Sequence, residues 1–175
     1  MDIKQKILAA GTQLLHEEGF TALTQTRIAK AADIRQSHLT YYFPARTDLL
    51  LALGEHSVDQ ALNQASQGPG DPLDRLMEGV RYLPRARMLA GLVTAADQDP
   101  ALRPALDRLI NHVRHSIGAF VTQLGYQCTS AQIVALHGMV AGLAVLNLGQ
   151  QNAKSEADIE DGLKALLASF KPQKR

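Results

Sequence analysis

The chain has 175 residues, 46% of them hydrophobic and 20% charged, with a formal net charge of +1 at neutral pH. That is room for one core-bearing body plus a small head, and no run of about 18 apolar residues points to a membrane span. The single Cys128 excludes an intrachain disulfide and suits a reducing compartment, and the amphipathic start MDIKQKILAAG lacks the long apolar stretch of a secretory signal.

The first predicted element is a helix that ends at Glu18-Gly19-Phe20. Two short amphipathic helices follow, separated by a tight polar turn. Thr24 is a good N-cap, and Ile28, Ala31 and Ala32 supply an apolar side small enough for another helix to cross closely. Asp33 is where this helix should stop, because Asp tolerates turn conformations better than most residues, although Gly would do so more cheaply. Ile34 plugs the turn. The second helix runs from Gln36 to Phe43, with Leu39 and Phe43 four residues apart on one inward face.

Everything else on that second helix points outward: Arg35, Gln36, Ser37, His38, Thr40, Tyr41 and Tyr42 offer donors, acceptors and aromatic edges with little aliphatic bulk. A DNA major groove asks for that inventory, and the pattern as a whole is a helix-turn-helix signature. Pro44 ends the helix. Arg46 then stands beside the start of the next one, where a guanidinium and free backbone N–H groups suit a phosphate. The candidate DNA-contact set is therefore Arg46, the outward residues just named, and Thr24, Gln25 and Thr26 at the start of the preceding helix. Lys4, Lys6, Arg27, Lys30, Arg35 and Arg46 against Asp2, Glu17, Glu18 and Asp33 leave residues 1–46 at a net +2. Binding should rest on a few placed contacts rather than on a basic coat, and should weaken as salt rises.

The remainder reads as helices with short punctuation and no competing strand. A fourth helix is expected from about Thr47 to Gln64, and the loop Gln67-Gly68-Pro69-Gly70-Asp71-Pro72 is the clearest seam. Leu73 to Leu83 forms a short helix, and Pro84 opens another that runs to about Ala96 before Asp97 to Pro100 breaks it. Leu102, Leu106, Leu109, Val113, Ile117, Phe120 and Leu124 recur at helical spacing in a long helix ended by Gly125. Ser130 is placed to cap a helix to about Gly149, and Ser155 to cap a last one to Phe170. The tail Lys171 to Arg175 should fray.

The helix around Gly142 is apolar nearly all round, which predicts burial on both sides. Ala135, Gly138, Gly142 and Gly149 form one small-residue stripe, and Ile133, His137, Val140, Ala144 and Leu148 lie opposite. The fold expected is all-α, about nine helices: a three-helix head, residues 1–46, and a helical-bundle body, residues 47–175.

Glu18-Gly19-Phe20, Leu23-Thr24, Ile28-Ala29, Ala31-Ala32, Leu39, Tyr42-Phe43-Pro44 and Asp48-Leu49-Leu50 together resemble the tetracycline-repressor (TetR) family of bacterial regulators. Four positions depart from the family's usual wording: Asp33, Arg35, Ser37 and Thr40, which bear on operator sequence more than on fold. A weaker likeness is Asp97-Gln98-Asp99-Pro100-Ala101-Leu102-Arg103. The resemblance implies a cytoplasmic regulator, at the nucleoid when DNA-bound, that holds a near-palindromic operator as a homodimer and is released by an unidentified small molecule. It also implies that the last two helices form a four-helix dimer interface, for which Ala135, Gly138, Gly142, Leu146, Ile159, Leu163 and Leu166 are the candidates. The effector pocket is assigned to Met77, Tyr82, Met88, Leu92, Phe120 and His137, with the fourth helix as the lever between body and head. No membrane partner and no cofactor is expected.

Enzyme readings find little. His112 and His115 stand three apart, but His115 lies opposite the apolar stripe of its helix and the nearby acids are not placed with it, so no metal site is expected. Phosphate loops, dinucleotide fingerprints and nucleophile elbows are missing from the sequence. The alternative carried forward is a helical small-molecule carrier or protein-interaction domain whose DNA-binding head is not used.

Overall fold

The computed structural model describes residues 2–172, and within them nine α-helices carry the fold. They are α1 (Ile3–Glu18), α2 (Gln25–Ala31), α3 (Gln36–Tyr42), α4 (Arg46–Gln67), α5 (Pro72–Arg81), α6 (Leu83–Gln98), α7 (Arg103–Gln123), α8 (Ser130–Gln150) and α9 (Ala153–Ala168). Short 3₁₀ turns at Phe20–Ala22 and Pro100–Leu102 join α1 to α2 and α6 to α7.

Local chemistry sets most of the boundaries. The Thr24 side chain accepts from the Arg27 N–H at 3.3 Å and starts α2. Asp48 accepts from the Ala45 N–H at 3.2 Å and holds the start of α4. Asp71 accepts from the Leu73 N–H at 2.8 Å ahead of Pro72, whose missing N–H costs nothing in a first turn. Two caps differ from expectation by their position. Thr129, not Ser130, caps α8, because Gln132 completes a reciprocal capping box with it. Asn152, not Ser155, caps α9, and Ser155 sits at the third helical position as its partner.

Two hydrophobic clusters divide the chain. The first joins α1, α2, α3 and the opening of α4 through Ile7, Leu15, Leu23, Ile28, Leu39, Phe43, Leu49 and Leu53, and takes in Met88 from α6. Gly11 lets α1 lie close on α4: a Cβ there would come within 2.5 Å of Leu53 Cδ2. The second cluster fills the body between α5, α6, α7, α8 and α9, with Val121, Leu136, Ile159 and Leu163 among its most buried members. Across the body α4 packs on α7 and α5, and α8 on α9, α6 and α7.

Four expectations are corrected. Ala31 is exposed, and it is Ala29 with Ala32 that accompanies Ile28 inward. A strand does form: Tyr126–Gln127 pairs antiparallel with Lys171–Pro172. Lys171 and Pro172 are thereby tied down, while Gln173, Lys174 and Arg175 lie outside the described residues. Finally, α8 is by length and composition apolar enough to cross a membrane. Its contacts with α6, α7 and α9, and its buried Asn147, which accepts from Ser155 Oγ at 2.6 Å, are those of a helix built into the body.

Candidate nucleic-acid interface and cavity

Between α2 and α3 the chain reverses in four residues. The Ala32 N–H bonds Ile28 O at 2.9 Å, the Ile34 N–H bonds Ala29 O at 3.0 Å, and Asp33 adopts a φ of 52°. This left-handed angle is the one for which Gly is usual and Asp tolerable. Ile34 then packs on the head cluster, which fixes α3 across α2. Leu39 and Phe43 are buried at 0% and 4% exposure, so the rest of α3 is turned to solvent.

The exposed face carries Arg35, Gln36, Ser37, His38, Thr40, Tyr41 and Tyr42. Tyr41 stands 80% exposed and meets Tyr42 edge-to-face at 5.3 Å. Thr26 on α2 reaches Gln36 Oε1 at 3.4 Å, which brings the starts of the two helices together. Arg46 is exposed at the start of α4. Three members of the predicted set have other engagements. Gln25 turns inward and donates to Phe43 O at 3.1 Å, Thr24 spends its oxygen on the α2 cap, and Thr40 donates to Gln36 O at 3.0 Å. Arg27 is paired with Glu18, so among the described residues the cations on this side without an ion pair are Arg35, Arg46 and Lys30.

Behind the head lies a cavity of about 150 Å³. Gly54, Val58 and Leu62 of α4, Leu76 and Val80 of α5, Leu109 and Phe120 of α7, and Val140 and Ala144 of α8 give it an almost wholly apolar wall. From α6 come Arg85, Met88 and Leu92, and from α8 the half-buried His137. Burial first, and the Arg114 charge second, hold His137 below its ordinary pKa.

Arg85 separates this cavity from an outer groove where His16 and Tyr82 meet. Its Nε donates to Ser57 Oγ at 3.2 Å, its Nη1 donates to Gly79 O, and its guanidinium lies 5.2 Å from the Tyr82 ring centroid. Tyr82 in turn stacks on His16 of α1 at 5.4 Å, with a hydrogen bond between the Tyr82 hydroxyl and His16 Nδ1. Burial raises the Tyr82 pKa against the opposing pull of Arg85.

Comparison with known proteins identifies the head and the fold. Residues 7–53, from α1 through the first two turns of α4, match the model for bacterial regulatory proteins of the tetR family. The chain is also similar to the HTH-type transcriptional regulator CymR of Pseudomonas putida, 24% identical over 168 residues covering 87% of this chain and 82% of CymR. The head, residues 7–53, is a tetR-family DNA-binding region. Among solved structures, a TetR transcriptional regulator from Rhodococcus sp. RHA1 superposes with a TM-score of 0.68 at 20% identity, covering 95% of this chain and 97% of that one. The multidrug binding protein EbrR, complexed with imidazole, gives 0.56 at 20% identity, covering 95% of each chain. The chain thus joins a tetR-type DNA-binding head to the all-α fold of these solved regulators.

Within that frame the predicted body residues separate. Met88, Leu92, Phe120 and His137 do line the cavity. Met77 does not: it is 3% exposed inside the second cluster. Nor does Tyr82, which faces the outer groove. Arg85 was missed, since Arg85-Ala86-Arg87 reads as two ordinary surface arginines and the cavity wall is assembled from five helices. On α8, Ala135, Gly138 and Gly142 face outward, nothing among the described residues lies within 4 Å of a Cβ placed at either glycine, and Leu146 is 58% exposed. Val134 and Val145, not predicted, share that side. Ile159 and Leu163 are corrected: both are fully buried within the chain's own core, because the apolar stripe of α9 is spent against α8 and α5. Leu166 is half-buried.

Proposed function

We propose that the chain is a transcriptional regulator of the TetR family, a repressor that holds a near-palindromic operator as a homodimer and is released when a small molecule enters the cavity. The observation that carries the reading is the double membership of Met88 and Leu92: both line the cavity and both pack on the head cluster. A molecule that changes the cavity wall therefore changes a surface on which the head rests. Its effect on DNA affinity equals its differential affinity for the two arrangements.

Support for a dimer comes from the outward side of α8, where Val134, Val145 and Leu146 stand exposed along the glycine stripe. A patch of that kind on a lone chain favours association. A recognition helix of seven residues reads few base pairs, so two at a fixed separation are needed to specify an operator. In this reading Arg35, Gln36, Ser37 and His38 contact bases and Arg46 a phosphate, the head of residues 1–46 reads DNA, and the body of residues 47–175 senses and dimerises. The protein would act in the cytoplasm without catalysis of its own.

The test is to select bound sequences from random DNA with the full chain, then screen metabolites for release. A bound metabolite that leaves both head separation and operator affinity unchanged would refute effector control, and a selection without half-site symmetry would refute the dimeric reader.

A further inference from the structure

We propose that the cavity takes a small apolar molecule bearing one carboxylate, with the Arg85 guanidinium as the partner of that charge. The inference rests on reading the cavity as the effector site and adds the chemical class of the ligand. A void of about 150 Å³ with apolar walls is of the size that holds a single aromatic ring. That fixes the hydrocarbon part.

The charge follows from what Arg85 lacks. Its contacts are a serine hydroxyl, a backbone carbonyl and the face of a tyrosine, all neutral. Among the described residues no carboxylate lies within ion-pair distance of it, and Glu78, which borders the same outer groove, does not pair with it. Five N–H donors sit on a guanidinium, and the two contacts at Nε and Nη1 leave the Nη2 edge without a protein acceptor among those residues. Burial pushes its pKa down, the mark of a cation whose surroundings do not compensate its lost hydration. A carboxylate in the cavity would supply that compensation in the planar two-point geometry a guanidinium favours.

One anionic group suffices. Among the described residues Arg85 is the only formally charged one in the cavity wall, and His137, held neutral by its surroundings at ordinary pH, contributes a donor or acceptor but no charge. A second carboxylate would be buried unpaired, at a cost that excludes dianions of the same size.

The experiment compares benzoate with benzamide, nearly equal in shape and different in charge, by calorimetric titration of the full-length protein without DNA. Benzoate is expected to bind at least about tenfold more tightly than benzamide. Arg85→Gln should bring that ratio to about one, and Arg85→Lys, which keeps the charge but not the planar fork, should retain part of the preference and controls for folding. Equal binding of the two probes by the unaltered protein, an unchanged ratio in Arg85→Gln, or no binding of benzoate at millimolar concentration would each overturn the proposal. Toluene binding without any preference for benzoate would do the same while leaving the cavity an effector site. Arg85-dependent benzoate binding that leaves operator affinity unmoved would uphold the ligand class and sink effector release.

Discussion

Replacing Leu146 by Asp tests the dimer most directly. Leu146 is 58% exposed on α8, and full burial of a leucine is worth about 1.5 to 3 kcal/mol. Covering the exposed part in an interface therefore contributes about 0.9 to 1.7 kcal/mol per protomer. A two-fold interface uses every residue twice, so the dimer stands to lose about 2 to 3.5 kcal/mol before any cost of burying the new carboxylate. At about 1.4 kcal/mol per factor of ten, the dimer dissociation constant should rise by about 30- to 300-fold. Sedimentation equilibrium across a concentration series measures it. Val93→Asp is the control: Val93 is 48% exposed on a different helix, α6, and its replacement should leave association unchanged. Operator affinity of Leu146→Asp should fall at low protein concentration and recover as concentration rises. Equal effects of the two substitutions on association, or none from Leu146→Asp, would remove α8 as the interface.

Four further outcomes are expected. Gln36→Ala should cost about 1 to 3 kcal/mol at one operator position and relax the base preference there, whereas Arg46→Ala should weaken all sequences alike and reduce the salt slope by about one; gel shifts at several salt concentrations separate them. Ser155→Ala leaves the buried Asn147 side-chain oxygen without its 2.6 Å partner, so stability should drop by about 1 to 3 kcal/mol and the thermal midpoint by about 2 to 12 °C. His137, its folded-state pKa depressed below 6.5, binds its proton more readily in the unfolded chain, so stability should be lost as pH falls below that value; in thermal melts His137→Gln should show a flatter acid limb. Tyr82→Phe removes the hydroxyl that meets His16 and should alter operator affinity or the concentration of effector needed for release, with recognition of operator sequence unchanged in a binding selection.

The head was legible because its determinants are close in sequence. A cap at Thr24, a turn residue at Asp33 and the Leu39–Phe43 pair act within a few residues of each other, and α2 and α3 follow from them. The displaced caps were readable too: Thr129 has Gln132, and Asn152 has Ser155, at the spacing of a capping box, and a neighbouring serine that suits the same role does not. What the sequence could not yield depends on which element faces which. An apolar stripe such as Ile159-Leu163 looks the same whether it meets its own core or a partner. Met77 and Met88 are both inward methionines, and only the assembled bundle places one in solid core and the other at a void. The Tyr126–Pro172 pairing joins two-residue segments far apart in the chain, too short for any periodicity to register.

Both α4, with Leu53 in the head cluster and Gly54 in the cavity wall, and α6 run from cavity to head. Gly91 packs so closely on the head that a Cβ there would come within 2.7 Å of the Phe20 ring, which leaves α6 little room to shift without carrying the Phe20 turn along. One helical turn and a half earlier, Arg85 lies over Tyr82 and Tyr82 over His16 of α1. A hundredfold change in operator affinity needs a ligand that favours the released arrangement by about 2.8 kcal/mol. Drawing Arg85 toward a carboxylate in the cavity would loosen a cation–π contact worth about 0.5 to 2 kcal/mol and, through it, a ring stack and a hydrogen bond of about 0.5 to 1.5 kcal/mol each. Those terms together are of the size required. A neutral molecule filling the same space has no hold on Arg85 and must act through apolar wall residues such as Met88 and Leu92, where volume rather than charge sets the displacement.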